Sequence, residues 1–143
     1  MRKNKGFTLI ELLVVISILG VLLALSVFGM QGARQSSRDG RRKADLEQIR
    51  SGLEMYRADC NAYPTTLVTT LKGTGTPSTC PISNVYISSV PVDPTSTTRK
   101  YAYSSAGTTY TLCAALEQAP SPAMDITGCG SCTATCNYKV TNP

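Results

Sequence analysis

The 143-residue sequence contains no histidine, no tryptophan and only two phenylalanines, and just 16% of its side chains are charged. Without histidine it lacks the usual general base near neutral pH and the commonest nitrogen ligand for a metal. No glycine-rich phosphate loop is present, and no two carboxylates stand at a spacing that suggests paired acid–base work. These absences exclude the common catalytic arrangements, so the chain reads as non-enzymatic and without a cofactor. Acids are scarcest late in the sequence: beyond residue 60 only Asp93, Glu117 and Asp125 occur.

What the chain does have is a long apolar run from Leu12 to Met30, entered through Lys5-Gly6-Phe7-Thr8-Leu9-Ile10-Glu11. About 20 helical residues at 1.5 Å each cross a hydrocarbon core of ~30 Å. Glu11 is the only charged side chain between Phe7 and Ala33. A carboxylate in a bilayer costs at least ~2.5 kcal/mol, so an intramembrane acid is a functional candidate and needs a partner. Cutting the chain between Gly6 and Phe7 would create an α-amino group with a pKa near ~8. That ammonium could meet the Glu11 carboxylate of a neighbouring copy and so pin the register of an assembly. An ordinary secretory signal, cut near Ala24-Leu25-Ser26, or a plain membrane anchor would leave Glu11 without a use.

The stretch Lys5-Gly6-Phe7-Thr8-Leu9-Ile10-Glu11-Leu12-Leu13-Val14-Val15-Ile16 resembles the class III signal peptide of type IV pilins and type II secretion pseudopilins. The resemblance implies cleavage after Gly6 by a prepilin peptidase, N-methylation of Phe7, and a role for Glu11 in filament entry. It also implies an assembly ATPase, a membrane platform protein and copies of the chain itself as partners. Residues 1–6 are then a cleaved leader.

Removing that leader takes Arg2, Lys3 and Lys5 from a net charge of +5, leaving 11 basic against 9 acidic side chains. The basic pI therefore supports no specific nucleic-acid site. Beyond the apolar run stand Arg34, Arg38, Arg41, Arg42 and Lys43, which by the positive-inside rule would favour the opposite orientation. Six downstream cysteines point to an oxidising compartment and outweigh that count, which keeps the amino end inside. The basic cluster reads as a solvated helix face, with contact to lipid headgroups as the alternative.

Leu46, Ile49, Leu53 and Tyr56 repeat at i, i+3, i+7 and i+10, one face of an amphipathic helix. The pattern predicts one helix from Phe7 to about Ala58, with residues 7–33 as the transmembrane or filament-core half and 34–60 as the amphipathic half. Residues 61–143 form the head. Within it, 65–99 read as loop with a short extended piece at Val85-Tyr86-Ile87. Strands are expected at Lys100–Ser104 and Thr109–Leu116, with a last one at Asn137–Val140. Tyr110, Leu112, Ala114 and Leu116 alternate onto one face, toward the helix stripe. The fold class is α+β: the pilin fold, a long N-terminal helix whose second half packs on a small antiparallel sheet.

Cys60, Cys80, Cys113, Cys129, Cys132 and Cys136 allow 15 pairings. Disulfides suit a small, loop-rich head with few large apolar residues. Cys60 with Cys80 is the expected first pair, while the last four staple the C-terminal region. The competing use of Cys129-Gly130-Ser131-Cys132 is a membrane-tethered thiol oxidoreductase. Pseudopilins of the major type bind calcium through clustered acids in their C-terminal loops. The thin supply of acids here shifts the expectation from a secretion pseudopilin, kept as the alternative, to a subunit of a surface pilus-like filament. Such a subunit would wait in the cytoplasmic membrane before assembly into an extracellular fibre.

Overall fold

The computed structural model describes residues 6–142, so the leader residues Arg2, Lys3 and Lys5 lie outside the described part. Helix α1 runs from Leu9 to Cys60, and five short strands follow: β1 Leu71–Lys72, β2 Val85–Ile87, β3 Ala102–Ser105, β4 Tyr110–Ala114 and β5 Tyr138–Thr141. The architecture is α+β. The chain divides into two compact units, one ending at Ser36 and the other beginning at Ser37.

In the first unit α1 is a single helix long and apolar enough to cross a membrane, and none of its apolar window is buried. Its two serines do not interrupt that surface. The Ser17 hydroxyl donates to the Leu13 carbonyl at 2.8 Å and the Ser26 hydroxyl to the Leu22 carbonyl at 2.9 Å. Each polar group is thus satisfied within the helix, as a hydrocarbon environment requires.

The second unit is built on the stripe read from the sequence. Leu46, Ile49, Leu53 and Tyr56 are buried against Tyr110, Leu112 and Ala114 of β4, Val140 of β5 and Ile87 of β2. Strands β3, β4 and β5 form one antiparallel sheet with β4 central, and β1 pairs with β2 in a separate two-stranded ladder. Across the larger sheet Leu112 stands opposite Tyr103 and Val140. The β3–β4 turn needs its glycine: Gly107 adopts φ of 86°, and Ala106 N–H donates to the Thr109 carbonyl at 3.0 Å. The ring of Tyr63 meets that of Tyr110 edge-on at 4.7 Å, which joins the helix exit to the sheet.

The boundaries differ from expectation for local reasons. The helix runs two residues past Ala58 to Cys60 and stops where Asn61 turns left-handed at φ 61°, its N–H closing on the Arg57 carbonyl at 2.8 Å. Strand β4 ends at Ala114 rather than Leu116, because the next amides are taken by side chains: Leu116 N–H by Asn137 and Glu117 N–H by Asp39. β3 starts at Ala102, since Lys100 N–H pairs with the Cys132 carbonyl instead. β1 was not foreseen; two residues carry no readable alternation. Nor is β4 covered on one face only. Cys113 and Ala115 point into a second cluster with Ala102, Cys132 and Cys136, so the C-terminal loop buries the face opposite the helix.

Gly52 is where β2 comes closest to the helix. A Cβ there would stand 2.6 Å from Ile87 Cδ1 and 3.4 Å from the Tyr86 carbonyl oxygen. Gly52→Ala should therefore destabilise the head by about 1 kcal/mol, as an overpacking cost of ~1–3 kcal/mol exceeds a helix-propensity gain of ~1 kcal/mol. In an Ile87→Ala background the same change should become stabilising. Denaturant unfolding of the four-member cycle reads this directly.

Candidate functional site

The helix begins with a reciprocal cap. The Thr8 N–H and hydroxyl both donate to Glu11 Oε2, at 2.9 and 2.8 Å, and Glu11 N–H returns a bond to Thr8 Oγ1 at 3.3 Å. Leu12 N–H closes the first turn on the Thr8 carbonyl at 3.3 Å. This is a capping box, Thr-x-x-Glu, whose spacing in the sequence is the signal for the role of Thr8. Both contacts fall on Oε2, so Oε1 keeps its acceptor capacity. Beside it Phe7 is 87% exposed, and Gly6 is exposed with open space around it.

The second arrangement lies wholly in the head. Arg42 is fully buried, and each of its five N–H groups has an acceptor. Nε and Nη2 grip Asp93 at 2.8 and 3.0 Å, and Nη2 also reaches Thr95 Oγ1 at 2.9 Å. Nη1 donates to Asp39 at 2.6 Å and to Glu117 at 2.9 Å. Arg38 Nε adds a bond to Glu117 Oε1 at 2.6 Å. Asp39 in turn accepts the Glu117 and Gln118 amides at 2.9 and 2.8 Å. One helix turn therefore holds two loops, 93–95 and 117–118.

The electrostatics follow from these contacts. Hydrogen bonds from Arg38, reinforced by Arg42, hold the Glu117 carboxyl down at about 2. Burial pushes the Asp93 carboxyl up, but the bonds from Arg42 and Thr95 outweigh it and leave it below its ordinary value. Asp93 foremost among its partners raises the Arg42 guanidinium above its normal range. Away from the cluster, burial and then the bond to Asp45 raise the Tyr101 hydroxyl, which donates to Asp45 Oδ2 at 2.7 Å.

The basic cluster is therefore not one solvated face. Arg34, Arg41 and Lys43 are exposed, while Arg42 is buried and Arg38 half-buried. Arg42 stands four residues before Leu46 and so continues the apolar stripe, which was the available sequence signal. All three late acids have internal cations. Arg42 holds Asp93, Arg38 and Arg42 share Glu117, and the Lys139 ammonium meets Asp125 at 3.0 Å. Among the described residues no group of three or more metal-ligating side chains comes together.

The cysteines form three bridges: Cys60–Cys80, Cys113–Cys129 and Cys132–Cys136. This corrects the oxidoreductase alternative. Cys129 and Cys132 belong to different bridges, and they lie in a loop rather than at the start of a helix, where a lowered thiol pKa would arise.

A capped, wholly uncovered apolar helix behind an aromatic–acid motif, continued into a small α+β head, defines a subunit of the pilin class. Comparison with known proteins narrows this. Residues 1–27 match the prokaryotic N-terminal methylation motif, and residues 29–118 match the family described as type II secretion system (T2SS), protein G. The type II secretion system core protein G of Pseudomonas aeruginosa is 37% identical over 98 residues, 65% of this chain and 69% of that protein. Those of Aeromonas hydrophila and Dickeya chrysanthemi are 40% and 42% identical over 65 residues, 46% of this chain. The chain spans about half the length of those two relatives, 46% and 42%. No solved structure gives a significant match. The chain belongs to the type II secretion system protein G family. The preference for a surface pilin yields to this match: the count of acids describes a few loops, whereas the match runs through the helix and most of the sheet.

Removing one partner of a buried ion pair costs ~3–5 kcal/mol, so Arg42→Leu should destabilise the head by about that much in equilibrium unfolding. The depressed Glu117 carboxyl contributes stability that is fully present above about 4.5 and lost as pH falls toward about 2. Glu117→Gln should therefore lower stability at pH 7 and flatten its decline across that window.

Proposed function

We propose that the chain is a pseudopilin: a structural, non-enzymatic subunit of a short filament in a type II secretion-like machine. It is inserted in the cytoplasmic membrane as a single-pass precursor with its amino end inside. A prepilin peptidase cuts after Gly6 and methylates the new terminus at Phe7. An assembly ATPase and a platform protein then add it to a filament of its own copies. One observation carries this reading: the apolar first half of α1 has no cover in the monomer, while the head has a closed core of its own.

The energetics favour transfer from membrane to filament for a specific reason. Moving Leu, Val and Ile side chains from lipid to a bundle of like helices is close to neutral, because lipid tails are as apolar as the side chains. The carboxylate breaks the balance. In the bilayer Glu11 has only its Thr8 cap; in the filament a neighbour's ammonium adds to it on the free Oε1. Relief of a membrane cost of at least ~2.5 kcal/mol is then available at each addition, and only at the correct axial step. Packing through Gly20, Gly29 and Gly32 sets how closely the helices approach.

Glu11→Ala should leave cleavage intact yet lower the amount of subunit in sheared or cross-linked filaments by at least about tenfold, the equivalent of ~1.4 kcal/mol. Normal incorporation would remove the pin. Gly6→Asp should leave the precursor mass unchanged, where the processed chain begins at Phe7 with one added methyl group; intact mass distinguishes the two. Fibres confined to the envelope fit the pseudopilin, and abundant long fibres on the cell surface would restore the pilus reading.

A further inference from the structure

The three bridges pair the cysteines strictly in chain order, first with second, third with fourth, fifth with sixth, enclosing separations of 20, 16 and 4 residues. Of the 15 possible pairings this is the single one in which no loop nests in or crosses another. Membership of one packed cluster does not by itself select it among the last four cysteines. Cys113, Cys129, Cys132 and Cys136 all pack in one cluster, around Ala102 and Ala115.

We infer that the pairing is set by the order in which the cysteines leave the membrane, through an extracytoplasmic thiol oxidase of the disulfide-exchange class and with no isomerisation step. The inference rests on the reading of an exported head. Cys60, the last residue of α1, clears the membrane first. When Cys80 emerges, Cys60 is the sole free thiol. Cys113 follows only after a further 33 residues, an interval in which the first bridge can close. When Cys129 emerges, Cys113 is the sole free thiol, and Cys132 is then left with Cys136. The tightest choice falls at Cys129-Gly130-Ser131-Cys132, where two thiols appear almost together and chain order favours the earlier.

Each step balances. A chain thiolate attacks the oxidase's disulfide, forming a mixed disulfide and releasing one oxidase thiolate. The next chain thiolate attacks the chain sulfur of that mixed disulfide, closes the bridge and expels the second oxidase thiolate. Two electrons pass to the oxidase, and the two thiol protons end on its dithiol.

Substituting the first cysteine shifts the register of all that follow. In cells making full-length Cys60→Ser, with thiols trapped by alkylation and pairs mapped by mass spectrometry, Cys80 should join Cys113 and Cys129 should join Cys132. Cys136 should then carry the free thiol. A free thiol on Cys80 with Cys113–Cys129 and Cys132–Cys136 retained would overturn the inference, since folding would then be choosing partners. The mapping reads covalent pairs and so does not require the variant to fold. In the unmodified chain, trapping at successive times should find Cys60–Cys80 before either other bridge, and loss of a disulfide isomerase should change the native yield less than about twofold. A chain that closes Cys113–Cys129 first, or needs the isomerase, counts against ordered oxidation. Six reduced cysteines in the unmodified chain would instead defeat the exported head itself.

Discussion

The head depends on one buried guanidinium. Burying a charge costs several kcal/mol, and the cost is offset only when every donor is met. Arg42 achieves this with acceptors from three separate stretches: Asp39 on its own helix, Asp93 and Thr95 in one loop, Glu117 in another. Arg38 and Asp39, on the same helix turn, tie the 117–118 loop further. The apolar stripe from Leu46 to Tyr56 holds the sheet, but its cluster does not include residues 93–95 or 117–118. In a head so rich in threonine, serine and glycine, ion pairing places the backbone that hydrophobic contact cannot reach.

The disulfides act on the same shortage of apolar side chains from another side. Cys113 fills a β4 position that points away from the helix, and its partner Cys129 brings the C-terminal loop across that face. The sheet is thereby covered on both sides although one side has no helix to cover it. The apolar half of α1 has the opposite arrangement. Its apolar window is uncovered, with even its serine hydroxyls turned back on their own helix.

How much of this was legible in the sequence depended on range. The stripe at Leu46, Ile49, Leu53 and Tyr56 and the strand around Leu112 were readable, because their periodicity is local and repeated. So was the aromatic–acid motif ahead of the apolar run, which falls within the methylation-motif match over residues 1–27. Arg42 was counted with its exposed neighbours, since its acceptors other than Asp39 lie 51 to 75 residues away and nothing nearby marks them. Its place four residues before Leu46 was the one clue. β1 carried no signal at all, being a two-residue pairing that exists only because β2 runs beside it. The scarcity of acids was read correctly as composition but carried too far as a guide to the kind of filament.

The order of the bridges also has a mechanical side. Under a pull applied through the C-terminal strand, tension crosses each bridge from sulfur to sulfur and bypasses the loop it encloses. Most of the contour that can still pay out lies between Cys80 and Cys113, on the order of 110 Å when fully drawn. Asp93 sits inside that stretch, held by the Arg42 fork. Paired geometry of this kind resists shear with two bonds at once. The same contact that orders the loop at rest must therefore break before the chain around Asp93 can pay out.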